Sequence, residues 1–150
     1  MEPKIKRAIV GGIVATVVMT LIMVIGAMMG MPKMNPPAML SGMMGVPLAI
    51  GWMMHFMIGV IFALSYVLFF EGWVRKISSN WMKGILFGLA AFVFAQVMMG
   101  IMGAVMGGIP SPDGSPALIM VGSIVGHIVF GITVTLFLKE YSVKQKLSNS

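Results

Sequence analysis

The chain has 150 residues, 59% of them hydrophobic and only 9% charged, with a formal net charge of +6 and a mean hydropathy of +1.01. Soluble globular domains run at about 45–50% apolar and about 25% charged residues, so this composition excludes that class. Cysteine is absent, which excludes disulfides, thiolate metal sites and covalent c-type haem attachment but says nothing about compartment.

Four apolar runs carry the architecture: Ala8 to Gly30, Leu48 to Phe70, Gly84 to Met106 and Ala117 to Leu138. Each is close to the roughly 20 residues that cross about 30 Å of hydrocarbon. Each is predicted to be a transmembrane helix, because a lone strand leaves its backbone polar groups unsatisfied in lipid. The first run follows Lys4, Lys6 and Arg7 and resembles a signal peptide. It exceeds the roughly 7–15 apolar residues of such a region and has no clear cleavage site, so it is read as a retained span.

The first connection, Met31 to Pro47, stays apolar and is expected to form a short interfacial helix from Pro36 before Pro47 redirects the chain. Trp52 near the start of the second span, and Trp73 and Trp81 around the next connection, are expected at lipid-water boundaries. Asn80 is the expected cap of the third span, and Ser115-Pro116 the expected start of the fourth. Between them, Ile109-Pro-Ser-Pro-Asp-Gly114 reads as a turn.

The cations fix an expected orientation. Lys4, Lys6 and Arg7 precede span one, Arg75, Lys76 and Lys83 separate spans two and three, and Lys139, Lys144 and Lys146 follow span four. Only Lys33 falls on the other side, so the positive-inside rule places both termini in the cytoplasm, in a multi-pass protein of the cytoplasmic (inner) membrane. These juxtamembrane clusters point to topology and anionic lipid; no recognition fold accompanies them, and nucleic acid is not an expected partner.

An internal duplication organises the chain. Arg7-Ala-Ile-Val-Gly-Gly12 resembles Lys83-Gly-Ile-Leu-Phe-Gly88, Pro37-Ala-Met-Leu40 resembles Pro116-Ala-Leu-Ile119, and His55-x-x-x-Gly59 matches His127-x-x-x-Gly131. Two helical hairpins, residues about 1–76 and 77–150, therefore make one membrane domain. With two spans per repeat, the halves share an orientation, and any symmetry axis runs along the membrane normal.

Depth counting brings the polar residues together. Thr20 lies 13 residues past Arg7, Gln96 13 past Lys83, His127 12 before Lys139, and His55 16 before Glu71. At about 1.5 Å per residue these form a layer near mid-membrane, with His55 somewhat further out. Each also sits in a row of small residues at four-residue spacing: Gly12, Thr16, Thr20; Gly51, His55, Gly59, Ala63; Gly88, Gln96, Gly100; and Ser123, His127, Gly131, Thr135, with Gly126 beside His127. Such rows allow close helix approach, so all four polar groups are expected to face inward.

Three roles fit that layer. His55 and His127 can form a hydrogen-bonded clasp with Thr20, Gln96 or backbone carbonyls, needing no ligand. They can be axial ligands of a b-type haem, Gly59 and Gly131 clearing space for the ring. Or they can carry protons in a small transporter or channel, which four spans support only as an oligomer. Methionine adds a further option, since most of the 19 lie toward the outer side. Met53/Met57 and Met98/Met102 have the i, i+4 spacing that sets sulfurs on one helix face, as a soft Cu(I) site with His55 would use. The alternative is that methionine is an adaptable filler beside glycine-rich helices or a docking surface for another subunit. No nucleophile-base pair, paired carboxylates, phosphate loop or His-rich metal motif is present, so no catalytic residue is assigned.

The phrases GWMMHFMIGVIFALSYVLFF and GSIVGHIVFG, together with the MNPPAML connection, resemble small bacterial four-helix membrane proteins grouped as a domain of unknown function. Gly51, His55, Gly59, Tyr66, Gly126, His127 and Gly131 carry the resemblance; Leu138 stands where the repeat would place a second Tyr66. The resemblance implies an all-α membrane fold and brings no activity, substrate or cofactor. The expected protein is thus a non-catalytic bundle, acting as an accessory or scaffolding subunit with other membrane subunits or further copies of itself. Haem b or copper binding is the principal alternative.

Overall fold

The computed structural model describes residues 3–108 and 114–148, and every regular element among them is helical. Helix α1, Pro3–Met28, begins with a proline whose missing N–H costs nothing at a helix start. It ends two residues before the expected Gly30, which takes φ 96° and turns the chain. Helix α2, Pro36–Met44, is defined by chemistry at both ends. Asn35 Oδ1 accepts the Ala38 N–H at 3.1 Å, and Gly45 closes the helix in the left-handed conformation at φ 62°.

Helix α3, Leu48–Ser65, runs into a π-helical turn, Tyr66–Phe70, and a last helical turn, α4, Glu71–Val74. Helix α5, Asn80–Met106, is capped one residue earlier than expected: Ser79 Oγ, not Asn80, accepts the Met82 N–H. It stops at Gly107, φ 84°. Helix α6, Pro116–Ser148, starts at the expected proline and continues past Leu138, because residues 132–148 contain no glycine or proline to end it. The expected turn at Ile109–Asp113 lies outside the described residues.

Four helical stretches are long and apolar enough to cross a membrane: Lys4–Met28, Leu48–Val74, Asn80–Met106 and Pro116–Lys139. They pack in the order α5, α6, α1, α3, with α2 lying on α3. Lipid gives helices no hydrophobic reason to associate, so close backbone approach must hold them, and glycine provides it. On α1 and α3, a Cβ at Gly12 would stand 2.8 Å from Val60 Cα, and one at Gly59 would collide with Thr16 Oγ1. On α5 and α6, a Cβ at Gly84 would stand 2.5 Å from Ile132 Cα, and Gly88 and Gly131 abut one another. Gly51 presses against the Pro37 carbonyl, which docks α2 on α3.

The remaining side of the bundle, between α3 and α5, has little direct backbone packing and is filled by aromatic rings. Tyr66 meets Phe87 edge-on at 4.9 Å, Phe70 lies 5.3 Å from Phe87, and Phe62 touches both Phe94 and Phe130. The π turn places Tyr66 and Phe70 toward α5 in succession, continuing inward from Ala63. Around these rings the core is closed by Ala15, Met19, Met23, Val74 and Val134.

Candidate functional site

The polar groups of α1 form a chain along one face. Thr16 Oγ1 donates to the Gly12 carbonyl at 2.7 Å, and Thr20 Oγ1 donates to the Thr16 carbonyl at 2.8 Å. Hydroxyls bonded this way satisfy themselves within their own helix, which is why threonine is tolerated there. Thr20 Oγ1 also lies 3.3 Å from His55 Nε2. Since the Thr20 hydrogen is already given to Thr16, this contact assigns the proton to His55 Nε2 and leaves the ring's lone pair on Nδ1. His55 is buried at 8% exposure, with Trp52 edge-on at 6.3 Å and Phe56 on its other flank.

His127 is held differently. Its Nδ1 donates to the Ser123 carbonyl one turn earlier at 2.8 Å, and Phe92 of α5 meets the ring edge-on at 5.7 Å. This assignment leaves the lone pair on Nε2. One histidine is thus tied across helices and the other along its own helix. A further polar tie was not foreseen: Thr135 Oγ1 lies 3.0 Å from both the Asn80 and Ile132 carbonyls, joining α6 to the first turn of α5. Its signal in the sequence was only its place in the small-residue row after His127.

Gln96 does not join the layer. It is exposed on the lipid-facing surface of α5, where its amide nitrogen reaches only Met120 Sδ at 4.0 Å. A strict four-residue row advances about 40° per step around a helix of 3.6 residues per turn. From the buried Gly88, two steps carry Gln96 about 80° out of the packed face, and Gly100 turns further still. The inward residues of α5 follow instead the true period through Gly84, Phe87, Gly88, Ala91 and Gly103.

Among the copper candidates Met53, Met57, Met98, Met102 and His55, the two methionines nearest in sequence to the histidine face away from it. Met53 and Met57 are 67% and 56% exposed, whereas His55 between them is buried, because residues two apart on a helix lie about 200° apart. Met98 is also exposed, and Met102, one turn further along α5, is half-buried. Met98 and Met102 share a face of α5, a helix that packs chiefly on α6. Other methionines pack against glycines: Met19 and Met23 cover Gly126, while Met31 and Met34 cover Gly122. Among the described residues no group of three or more His, Asp or Glu side chains is placed to hold a metal ion.

A cleft of about 380 Å³ opens beside the histidine tie, between the end of α1, the start of α2 and the start of α3. Thr20, Met23, Met34, Pro37 and Trp52 are among its walls, with Lys33 at its polar end. Thr20 and Trp52 both touch His55, so the imidazole stands directly behind the wall. The singular position of Lys33 in the charge pattern marked one element of this cleft; the walls come from the folding of α2 onto α3.

Four long apolar helices, joined through glycine contacts and polar ties near mid-span, define a multi-pass membrane protein of the helical-bundle class. The chain belongs to a family of unknown function, DUF6789, whose model matches residues 3–148. Neither the curated proteins nor the solved structures contain a match to it.

Proposed function

We propose that the protein is a non-catalytic integral membrane protein that works as an accessory or scaffolding subunit, both termini cytoplasmic, assembled with other membrane-embedded protein. One observation carries this reading. Gln96 is the single exposed polar side chain among the described span residues that lie between the charged ends. It stands about 24 Å along α5 from Asn80 and about 15 Å from Met106, deep in the hydrocarbon. A primary amide left there without a strong acceptor costs roughly 2–7 kcal/mol, and a methionine sulfur is a weak one. A neighbouring protein removes that cost.

The two hairpins support a duplicated scaffold as well: Gly12 faces Gly59 in the first and Gly88 faces Gly131 in the second, the same pairs that the sequence repeats equate. Purification in a mild, native-like environment tests the proposal. Stoichiometric partners or further copies of the chain are expected; a lone monomer would count against it.

A second reading, a haem b or Cu(I) protein, is favoured by the geometry of His127. An imidazole that donates Nδ1–H to a backbone carbonyl presents Nε2 as a ligand in a fixed orientation, an arrangement usual behind metal-bound histidines. An absorption spectrum with metal analysis separates the two readings: a Soret band abolished by His127→Ala supports haem, and a colourless, metal-free, folded protein sinks both cofactors.

A further inference from the structure

We infer that the occupant of the Gln96 surface is a second copy of this chain, packed α5 against α5 about a two-fold axis along the membrane normal. The inference rests on the subunit reading above and names its partner.

The chemistry of the side chain selects a copy of itself. A carboxamide carries one acceptor oxygen and two N–H donors, so two glutamines set face to face satisfy each other through reciprocal N–H···O bonds. A carboxylate or an ammonium group does not pair with its own copy in this way. Two copies inserted with the same topology are parallel, and a two-fold axis along the normal brings each residue of the contact to the same depth as its symmetry mate. Gln96 therefore meets Gln96, the condition that reciprocal bonding requires.

The surroundings of Gln96 fit close approach. Gly100 and Ala104 follow it at four-residue intervals, and all three are exposed. A Cβ built on Gly100 would find nothing within 4 Å, so this chain leaves the backbone there uncovered. Close packing at Gly100 and Ala104 is the small-xxx-small geometry by which membrane helices approach. The lipid-facing sides of α1 and of α3 with its π turn are different: Leu21, Val24 and Ile25 on α1, Met53 and Ile61 on α3, and Phe69 in the π turn are bulky and offer no hydrogen-bonding group.

The absence of native cysteine makes the test direct. The full chain carrying Ala104→Cys, in its native membrane, is treated with a short bis-maleimide, with Ile61→Cys on the exposed side of α3 as control. A homodimer linked through Ala104→Cys and not through Ile61→Cys is expected. Adding Gln96→Leu should weaken dimerisation roughly 5- to 30-fold, measured by energy transfer between labelled chains on dilution in bilayers, while Gln96→Asn retains it. Both variants should keep wild-type far-ultraviolet circular dichroism, because the position is outside the packed core. Cross-linking from Ile61→Cys alone, or a dimer indifferent to Gln96→Leu, overturns the α5 interface. A monomer whose Ala104→Cys links to a different protein overturns the homodimer and leaves the subunit reading standing. A monomer linked to nothing overturns both.

Discussion

Gly59 of α3 lies directly against the Thr16 hydroxyl of α1, with no space for a methyl group between them. Thr16 is itself 1% exposed and bonded back to the Gly12 carbonyl, so neither partner has a free direction in which to move. The prediction is a loss of about 1–3 kcal/mol for Gly59→Ala, the usual cost of forcing extra volume into a packed interior. Gly72→Ala is the matched control: nothing lies within 4 Å of its Cβ position, and alanine is the better helix former by up to about 1 kcal/mol. Unfolding in detergent should rank Gly59→Ala well below wild type and Gly72→Ala at or above it. Equal stabilities would remove glycine packing as the bond between α1 and α3.

The tie between Thr20 and His55 is open to a double-mutant cycle. Interhelical hydrogen bonds in membrane proteins average about 0.6 kcal/mol and reach about 1.7 kcal/mol. Thr20→Val and His55→Phe should therefore show a coupling of that size, whereas Thr20→Val and His127→Phe should be additive, since His127 bonds within its own helix. Coupling of Thr20 to His127 and not to His55 would contradict the arrangement.

How much of this was legible in the sequence differs from helix to helix. The four spans and the two glycine-bearing hairpins follow from run length and residue size, which one chain displays directly. The inward placement of His55 was also legible, although its row drifts around α3 as much as the Gln96 row drifts around α5. The α3 row stays buried because its neighbours change along it: Gly51 faces α2 and Gly59 faces α1. On α5 no neighbouring element covers the side reached by Gln96 and Gly100, although Gly103 is buried again, so the same spacing turned these two residues outward. Which helix covers which face depends on long-range packing, and spacing along a single helix does not contain it. The methionine candidates divide along the same line. Met53 and Met57 are each two residues from His55, so spacing alone turns them to the opposite side of α3, whereas the place of α5, which carries Met98 and Met102, is a matter of helix order.

The aromatic seam predicts a large effect from a single ring. Phe87 is 3% exposed and contacts Tyr66, Phe70 and Phe130, in a place where α3 and α5 have little other means of holding together. Phe87→Ala should cost about 3–5 kcal/mol, the range for a buried aromatic truncated to alanine. Phe69→Ala, removing a ring 68% exposed, should change detergent stability little. The comparison is read from denaturant midpoints, and a mild Phe87→Ala phenotype would mean that the seam is not what closes the bundle.

Glu71 and Lys4 join the ends of α4 and α1 at 2.5 Å, with side chains 42% and 52% exposed. Pairs this accessible contribute about 0–1 kcal/mol and are screened by salt. Glu71→Gln should leave stability within that limit, and the small difference should shrink further in high salt. A loss of several kcal/mol would show that the pair is shielded by lipid headgroups.

Orientation offers the last test, because the charge pattern and the helix ends make one joint statement. Lys33 lies between α1 and α2, and Lys76 lies between α4 and α5, so the two positions are separated by the length of α3 through α4. With both termini cytoplasmic, Lys33→Cys should react with a membrane-impermeant maleimide added to intact cells or spheroplasts, and Lys76→Cys only after permeabilisation. The chain's lack of native cysteine leaves no background label. Reversed accessibility would invert the protein in the membrane without altering the bundle. Reaction of both positions from one side would be incompatible with α3 and α4 together crossing the bilayer, and with it the common depth assigned to Thr20 and His55 would be lost.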